Sequence, residues 1–284
     1  MHAAPTRKGA EAARVVAVNT ISFVSANFVA RQLNYAMTGD WGQGDRATNA
    51  YFREPEVFAE RFGTMLSEVQ AMGFTAIDLW TAHLNWAWAT TDHLDAAREA
   101  LKRNGLTVTS FAGGFGKTPE EVEAACRTAA AVGCDLLGGA MPYLNVNRAD
   151  AVAVLREHGL RFGLENHPEK TPGELLAKLG DGDEDVLGVV PDTGWFGTQA
   201  YDAAAALEEL APRIMQVHLK DVSAVGKHDT CRFGQGIVPL RNCVLALRHA
   251  SYQGPIGIEH EPEHHDPTED VVASLGSLRE WLEA

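Results

Sequence analysis

Eight short apolar runs, each followed by an amphipathic segment, dominate this sequence. The runs begin at Val15, Phe74, Leu106, Cys134, Arg161, Val186, Arg213 and Pro255. Their hydrophobicity is continuous rather than alternating, which is typical of parallel strands that are buried on both faces. Several amphipathic segments end at a glycine, as helices commonly do. Eight strand–helix pairs in succession predict an α/β fold, a (β/α)8 TIM barrel in a single domain.

The predicted barrel occupies residues 13–284 and follows a tail, residues 1–12, that we expect to be disordered. Two connections after strands are long: residues 26–53 after the first predicted strand (the β1–α1 loop) and residues 222–237 after the seventh (the β7–α7 loop). Both leave the carboxyl ends of strands, where the active sites of such barrels occur. Each loop is therefore expected to be a lid or wall of the site, or else a surface excursion or subunit contact.

Composition restricts the partners. The chain has 24 Lys and Arg against 38 Asp and Glu, and this formal charge of −14 disfavours nucleic acid and anionic membranes. No apolar run approaches the ~20 residues of a membrane helix, and residues 1–12 lack the apolar segment of a signal peptide. The four cysteines show no CxxC spacing, which favours reduced thiols. We expect a cytoplasmic protein, with a homo-oligomer or a hetero-subunit role left open.

Four potential metal ligands lie at or near the ends of the fifth to eighth predicted strands. They are Glu165, Asp192, His218 and Glu259. Successive strand ends converge on one mouth of a barrel, so these side chains can meet there. Three carboxylates and an imidazole favour one divalent cation, with Mn²⁺ preferred and Mg²⁺, Co²⁺ or Zn²⁺ as further candidates. The alternative is a hydrogen-bonded structural network.

The segments GLENH, PDTGW, VHLKD and IGIEHE, in this order, resemble the xylose isomerase-like superfamily of sugar phosphate isomerase/epimerase-type barrels. The resemblance covers roughly residues 15–283. It implies a divalent cation held by the four ligands named above. It also implies that Glu165 and Glu259 act as acid/base groups on opposite faces of the sugar, as in the ketose epimerases of the family. Many relatives have a histidine where this chain has Trp195, which argues against the three-zinc site of the DNA-repair endonucleases.

The function expected from these residues is isomerisation or epimerisation of a sugar or keto-sugar without a phosphate group. The cation would stabilise the enediolate formed when one glutamate removes the proton α to the carbonyl, and the other glutamate would return a proton. Two alternatives remain open at this point. One is a dehydratase or lyase that eliminates a β-substituent from a keto-inositol or keto-glycoside, and the other is a non-catalytic sugar-binding or partner subunit.

Further candidates surround this set. His83 and His167 are expected to take part in catalysis, and the side chains expected to bind substrate are Trp80, Trp195, Lys220, His228 and Arg232. Each also has a purely structural alternative, such as core packing for His83 or a solvated loop charge for Arg232. The cluster of Glu261, Glu263, His264 and His265 is expected to be a solvated loop, although Glu261 could compete with Glu259 as a ligand.

Overall fold

The computed structural model describes residues 19–284. The predicted tail at residues 1–12, and the part of the first predicted strand before residue 19, lie outside the described residues. Within the described part the strands are Ile21–Val24 (β1), Ala76–Trp80 (β2), Thr107–Gly114 (β3), Leu136–Ala140 (β4), Arg161–Glu165 (β5), Leu187–Val190 (β6), Val217–Val222 (β7), Thr230–Cys231 (β8) and Ile256–Glu259 (β9).

The α-helices in the same range are Trp41–Phe52 (α1), Pro55–Ala71 (α2), Thr91–Asn104 (α3), Pro119–Ala131 (α4), Pro142–Val146 (α5), Arg148–His158 (α6), Pro172–Leu179 (α7), Thr193–Thr198 (α8), Ala203–Leu210 (α9), Leu240–His249 (α10) and Thr268–Glu283 (α11). Short 3-10 helices cover Ser25–Phe28, Arg31–Leu33 and Ala211–Arg213. No helix in the described range is both long and apolar enough to cross a membrane.

The strands form one sheet in the order β6-β5-β4-β3-β2-β1-β9-β7-β8. All neighbours are parallel except β8, which pairs antiparallel with β7. Two parallel bridges, from Val189 to Ile214 and from Asp192 to His218, join β6 to the segment of β7 and so close the ring. The eight parallel strands and their surrounding helices confirm the predicted TIM barrel.

Local signals in the sequence set the helix bounds. Helix α4 begins after Thr118, whose side chain accepts a hydrogen bond from the Glu121 backbone N–H, with proline at the first helical position. Helix α3 ends at Gly105, which has a φ of 63° and supplies the left-handed residue that this termination requires. Phe62 and Leu66 of α2 are fully buried, and such burial contributes about 1.5–3 kcal/mol per side chain. The helices are therefore held by their apolar faces against the strands.

The two long connections are more regular than loops. Much of residues 26–53 is helical, because the segment contains 3-10 turns and the 12-residue helix α1. The connection after β7 folds over the buried carboxylate of Asp221, which accepts backbone hydrogen bonds from Gly234, Gly236 and Val238 at 2.9–3.1 Å. Both connections thus have fixed positions beside the carboxyl ends of the strands.

Candidate active site

A cavity of about 550 Å³ opens at the carboxyl ends of the barrel strands. Its walls combine acidic side chains with three tryptophans and one lysine. The residues used below are Glu165, Asp192, Glu259 and Glu261, the aromatic Trp41, Trp80 and Trp195, and the basic His167, Lys220 and His228. The cavity therefore combines charged groups with aromatic rings.

His218 connects the two predicted glutamates at the floor of the cavity. Its Nδ1 lies 3.2 Å from Oε1 of Glu165, the last residue of β5, and 3.4 Å from Oε2 of Glu259, the last residue of β9. Ligand atoms around an ion at about 2.1 Å are separated by about 3.0–3.4 Å, depending on the coordination geometry. Oε2 of Glu259 is also buried and has no hydrogen-bond partner. These three side chains therefore fit a shared divalent cation.

Each carboxylate oxygen of Asp192, the fourth predicted ligand, has its own neighbours. It caps α8, since its Oδ1 accepts hydrogen bonds from the backbone N–H groups of Gly194 (2.7 Å) and Trp195 (3.2 Å). Its Oδ2 lies 3.5 Å from Nε2 of His167. Glu165, His167 and Asp192 form a second group with ligand-type spacing, which shares Glu165 with the first. Glu165, Asp192 and Glu259 thus border one cavity, with Asp192 offset towards His167, and the buried His218 lies against the two glutamates.

Lys220 supplies positive charge inside this acidic cavity. Its Nζ lies 3.0 Å from Oε2 of Glu261, 3.1 Å from Oε1 of Glu259 and 3.4 Å from Oδ2 of Asp192. Burial opposes its charge, but these carboxylates raise the pKa of Lys220 well above its ordinary value. Burial raises the pKa of Glu261 to about 7. The ammonium group therefore stays charged and keeps the carboxylates close together.

The two predicted catalytic glutamates are held as carboxylates. Burial opposes the ionisation of Glu165, yet contacts with His167 and His218 outweigh it and keep its pKa well below the usual range. Burial likewise opposes the ionisation of Glu259, and the charges of Lys220 and His218 lower its pKa to about 2. Each glutamate therefore has an anionic oxygen available to a cation or a proton.

Two buried residues beneath His218 were missed by the sequence analysis. Oδ2 of Asp78, in β2, lies 2.6 Å from Nε2 of His218, and both side chains are buried. Nε2 of Gln216 donates to the same carboxylate oxygen. A charged residue inside the apolar run FTAIDLW, and an amide two positions before His218 on the same strand face, were the available signals. Carboxylate partners of this kind orient histidine ligands and fix their tautomer.

Most of the predicted substrate-binding side chains border the cavity. Trp195 stacks on His228 with ring centroids 5.3 Å apart and also contacts His167, at a centroid distance of 4.6 Å. Trp41, from α1, packs against Trp80 at 4.9 Å. Two aromatic clusters therefore form walls above the charged floor. Trp41 belongs to the connection 26–53, which the sequence predicted as a lid or wall of the site or as a surface excursion, without a role for this residue itself.

The structure corrects two of the predicted positions. His83 does not line this cavity: it is buried behind Trp80 and Phe52, and its Nδ1 lies 3.2 Å from Oγ of Ser25. Arg232 does not line it either, because its Nε and Nη2 bind Oδ1 of Asp270 at 2.8 and 2.7 Å. In both cases the turn after the strand directs the side chain away from the mouth.

The predicted solvated loop after β9 is also different. Glu261 and Glu263 line the cavity, and the side chain of Glu261 is only 11% exposed. His264 and His265 are exposed, as expected. The chain leaves β9 along the rim of the cavity, so alternate residues of this segment face inwards.

Comparisons with known proteins agree with this architecture. Among curated proteins, the chain is 27% identical over 132 residues to an uncharacterised Escherichia coli K12 protein, YihM; the match spans 42% of this chain and 40% of that protein. A solved structure of D-psicose 3-epimerase in the presence of D-fructose is 19% identical with a TM-score of 0.62, covering 78% of this chain and 94% of the other.

Two further structures share the fold. The probable 3-DHS dehydratase AsbF of Bacillus anthracis is 16% identical with a TM-score of 0.65, over 92% of this chain and 98% of that one. A Mycobacterium smegmatis xylose isomerase-like TIM barrel protein in complex with magnesium is 19% identical with a TM-score of 0.63, over 79% and 89%. At these identities the structures establish the fold alone. Residues 66–281 match the family described as xylose isomerase-like TIM barrel, and the chain belongs to that family.

Proposed function

We propose that this protein is a divalent-metal-dependent isomerase or epimerase that moves the proton α to the carbonyl of a sugar or keto-sugar. The observation that carries the proposal is the pair of anionic glutamates, Glu165 and Glu259, which approach His218 Nδ1 within 3.2 and 3.4 Å on the cavity floor. Two carboxylates on one substrate site suit a reaction in which one removes a proton and the other returns it. Epimerases and a dehydratase of the same fold support this reaction class.

Glu165, His218 and Glu259 are the residues that would hold the cation, and Asp192 borders the same space. Because the donors are mainly carboxylate oxygens, Mn²⁺ or Mg²⁺ suits the set best, with Co²⁺ or Zn²⁺ as further candidates. When bound, such a cation supplies Lewis acidity that polarises a carbonyl.

The chain's own residues would position the substrate and move its proton. Glu165 and Glu259 would exchange the proton, and Lys220 holds Oε1 of Glu259 at 3.1 Å. The tryptophan walls exclude water and pack against the apolar face of a sugar ring. Six carboxylates and one ammonium group lie among the described lining residues, which favours a substrate without phosphate.

The first test is the metal content of the wild type against that of His218→Ala, measured by inductively coupled plasma mass spectrometry. We expect about one divalent ion fewer per chain in the variant, because His218 joins the two glutamates. An equal content in the two proteins, after Mn²⁺ or Co²⁺ has been supplied, would exclude the cavity as the metal site.

The second test is exchange of substrate protons in D₂O over a panel of ketoses and keto-glycosides. We expect deuterium in the recovered sugar with the wild type and none with Glu165→Gln or Glu259→Gln, while thermal unfolding of the variants stays close to that of the wild type. Full exchange by either glutamine variant would refute the two-glutamate mechanism.

A dehydratase or lyase is the second candidate. A third carboxyl, Glu261, lies in the same cavity beside Lys220, and an elimination needs such an additional group to protonate the leaving group. The same assay distinguishes the candidates, since an unsaturated product indicates elimination and deuterium in a recovered sugar indicates reversible proton transfer. Binding of a sugar with neither outcome would support a non-catalytic sugar-binding subunit.

A further inference from the structure

A second cluster of ligand-type side chains lies on the connection from β9 to α11. Its members are His260, His265 and Asp270. Glu259 ends β9 facing the cavity, and alternation along the strand directs the next side chain, His260, to the other side. Asp270 belongs to the first turn of α11. The cluster is therefore separate from the cavity, although it adjoins one of its walls.

The spacing within the cluster fits a bound ion better than direct hydrogen bonds. Nε2 of His260 lies 3.2 Å from Oδ2 of Asp270, and Nε2 of His265 lies 3.3 Å from the same oxygen. Hydrogen bonds from nitrogen to a charged carboxylate are usually about 2.7–2.9 Å long. Adjacent ligands of a tetrahedral ion with bonds of 2.0–2.1 Å are about 3.3 Å apart.

Arg232 prepares the carboxylate for such a role. It binds Oδ1 of Asp270 through Nε and Nη2 at 2.8 and 2.7 Å, which leaves Oδ2 to the histidines. Ligating carboxylates are commonly held through their second oxygen in this way.

The cluster is also accessible from solvent. The side chain of His265 is 55% exposed and that of Asp270 is 22% exposed, whereas His260 is buried. An ion can therefore enter beside His265 and keep solvent in its remaining position, while the buried ring provides a rigid ligand.

We propose that His260, His265 and Asp270 form a second divalent-cation site, with two imidazoles and one carboxylate that suit Zn²⁺ or Co²⁺. The ion holds the connection from β9 to α11 in place beside the rim of the cavity. In that connection Glu263 accepts a hydrogen bond from the Gly39 backbone N–H at 3.0 Å, and Asp266 accepts one from the Tyr35 hydroxyl at 2.7 Å.

The test measures Zn²⁺ binding by isothermal titration calorimetry after removal of metal with a chelator. His265→Ala removes the exposed ligand, and His264→Ala is the matched control because it removes an adjacent exposed histidine outside the cluster. Both variants are made in the wild type and in a His218→Ala background, where the cavity site is lost. This design keeps the second site distinguishable from the proposed function.

We expect one Zn²⁺ per chain in the His218→Ala background, retained with His264→Ala and weakened at least tenfold with His265→Ala. Zinc should also raise the Tm of the control and leave that of His265→Ala unchanged. Equal binding by the two histidine variants, or no binding beyond the cavity site, would overturn the proposal. Asp270→Asn provides a second variant, with circular dichroism as the check that α11 is retained.

Discussion

Asp78→Asn is the most informative single substitution in this protein, because it removes a charge without changing the size of the side chain. Oδ2 of Asp78 lies 2.6 Å from Nε2 of His218, and neither side chain has appreciable contact with solvent. A carboxylate at this position accepts the Nε2 proton and so leaves Nδ1 free towards Glu165 and Glu259. An amide can present either its oxygen or its NH₂ group, so the preferred tautomer is weakened.

The expected effect is a 10- to 100-fold loss of metal affinity, which corresponds to about 1.4–2.7 kcal/mol of binding free energy. The pair is fully buried, so screening by water or salt does not reduce its interaction.

Mn²⁺ affinity is measured by calorimetry, and the protonation state and tautomer of His218 are followed in the metal-free protein by ¹⁵N NMR of the imidazole as a function of pH. Ser22→Ala is the control, since Ser22 is fully buried in β1 and its hydroxyl has no hydrogen-bond partner. It should leave the affinity within about threefold of the wild type, because the Ser22 hydroxyl makes no hydrogen bond to Asp78 or His218. An unchanged tautomer and unchanged affinity in Asp78→Asn would refute the positioning role of Asp78.

Four further substitutions test other parts of the structure. Gly44→Ala in α1 should lower the free energy of unfolding by about 1–3 kcal/mol, measured in urea, because its Cβ would lie 2.3 Å from the Val29 backbone oxygen. Gly276→Ala in α11, whose Cβ would have no atom within 4 Å, should instead raise the free energy of unfolding by about 1 kcal/mol. Burial lowers the pKa of His83 to about 3 in the folded protein. As the pH falls below about 6.5, this histidine is therefore protonated in the unfolded chain but not in the folded one, and the free energy of unfolding decreases. His83→Gln has no such group, so the difference in free energy of unfolding between the wild type and this variant should decrease by about 2 kcal/mol from pH 7.5 to pH 5. A difference that stays constant with pH would contradict the burial of a neutral His83. Trp195→Leu should raise the KM for the sugar about tenfold with little change in kcat, since the ring forms a wall of the cavity beside His167 and His228 and is not one of the proposed proton-transfer groups; an equal loss in kcat would assign it a role in the reaction itself.

The barrel could be predicted because its determinants are periodic and local. Continuous apolar runs indicate strands covered on both faces, and glycine terminators such as Gly105 mark the ends of the helices between them. The helix α1 within residues 26–53 was not predicted. Its sequence, WGQGDRATNAYF, has two glycines and little apolar periodicity, so the helix depends on its packing against the rim.

The meeting of Glu165, Asp192, His218 and Glu259 was also determined by the sequence, since parallel barrel strands all end at the same mouth. The tertiary structure alone decided which of the remaining polar side chains reach that mouth. The turn after β2 buries His83, the partner Asp270 holds Arg232 away, and the path after β9 brings Glu261 inwards. The contact of Asp78 with His218 depends on the positions of β2 and β7 in the barrel. It could not be predicted, because a contact between residues 140 positions apart has no local signal in the sequence. Strand ends are fixed by short-range patterns, whereas the direction of a side chain beyond a strand end depends on what packs against it.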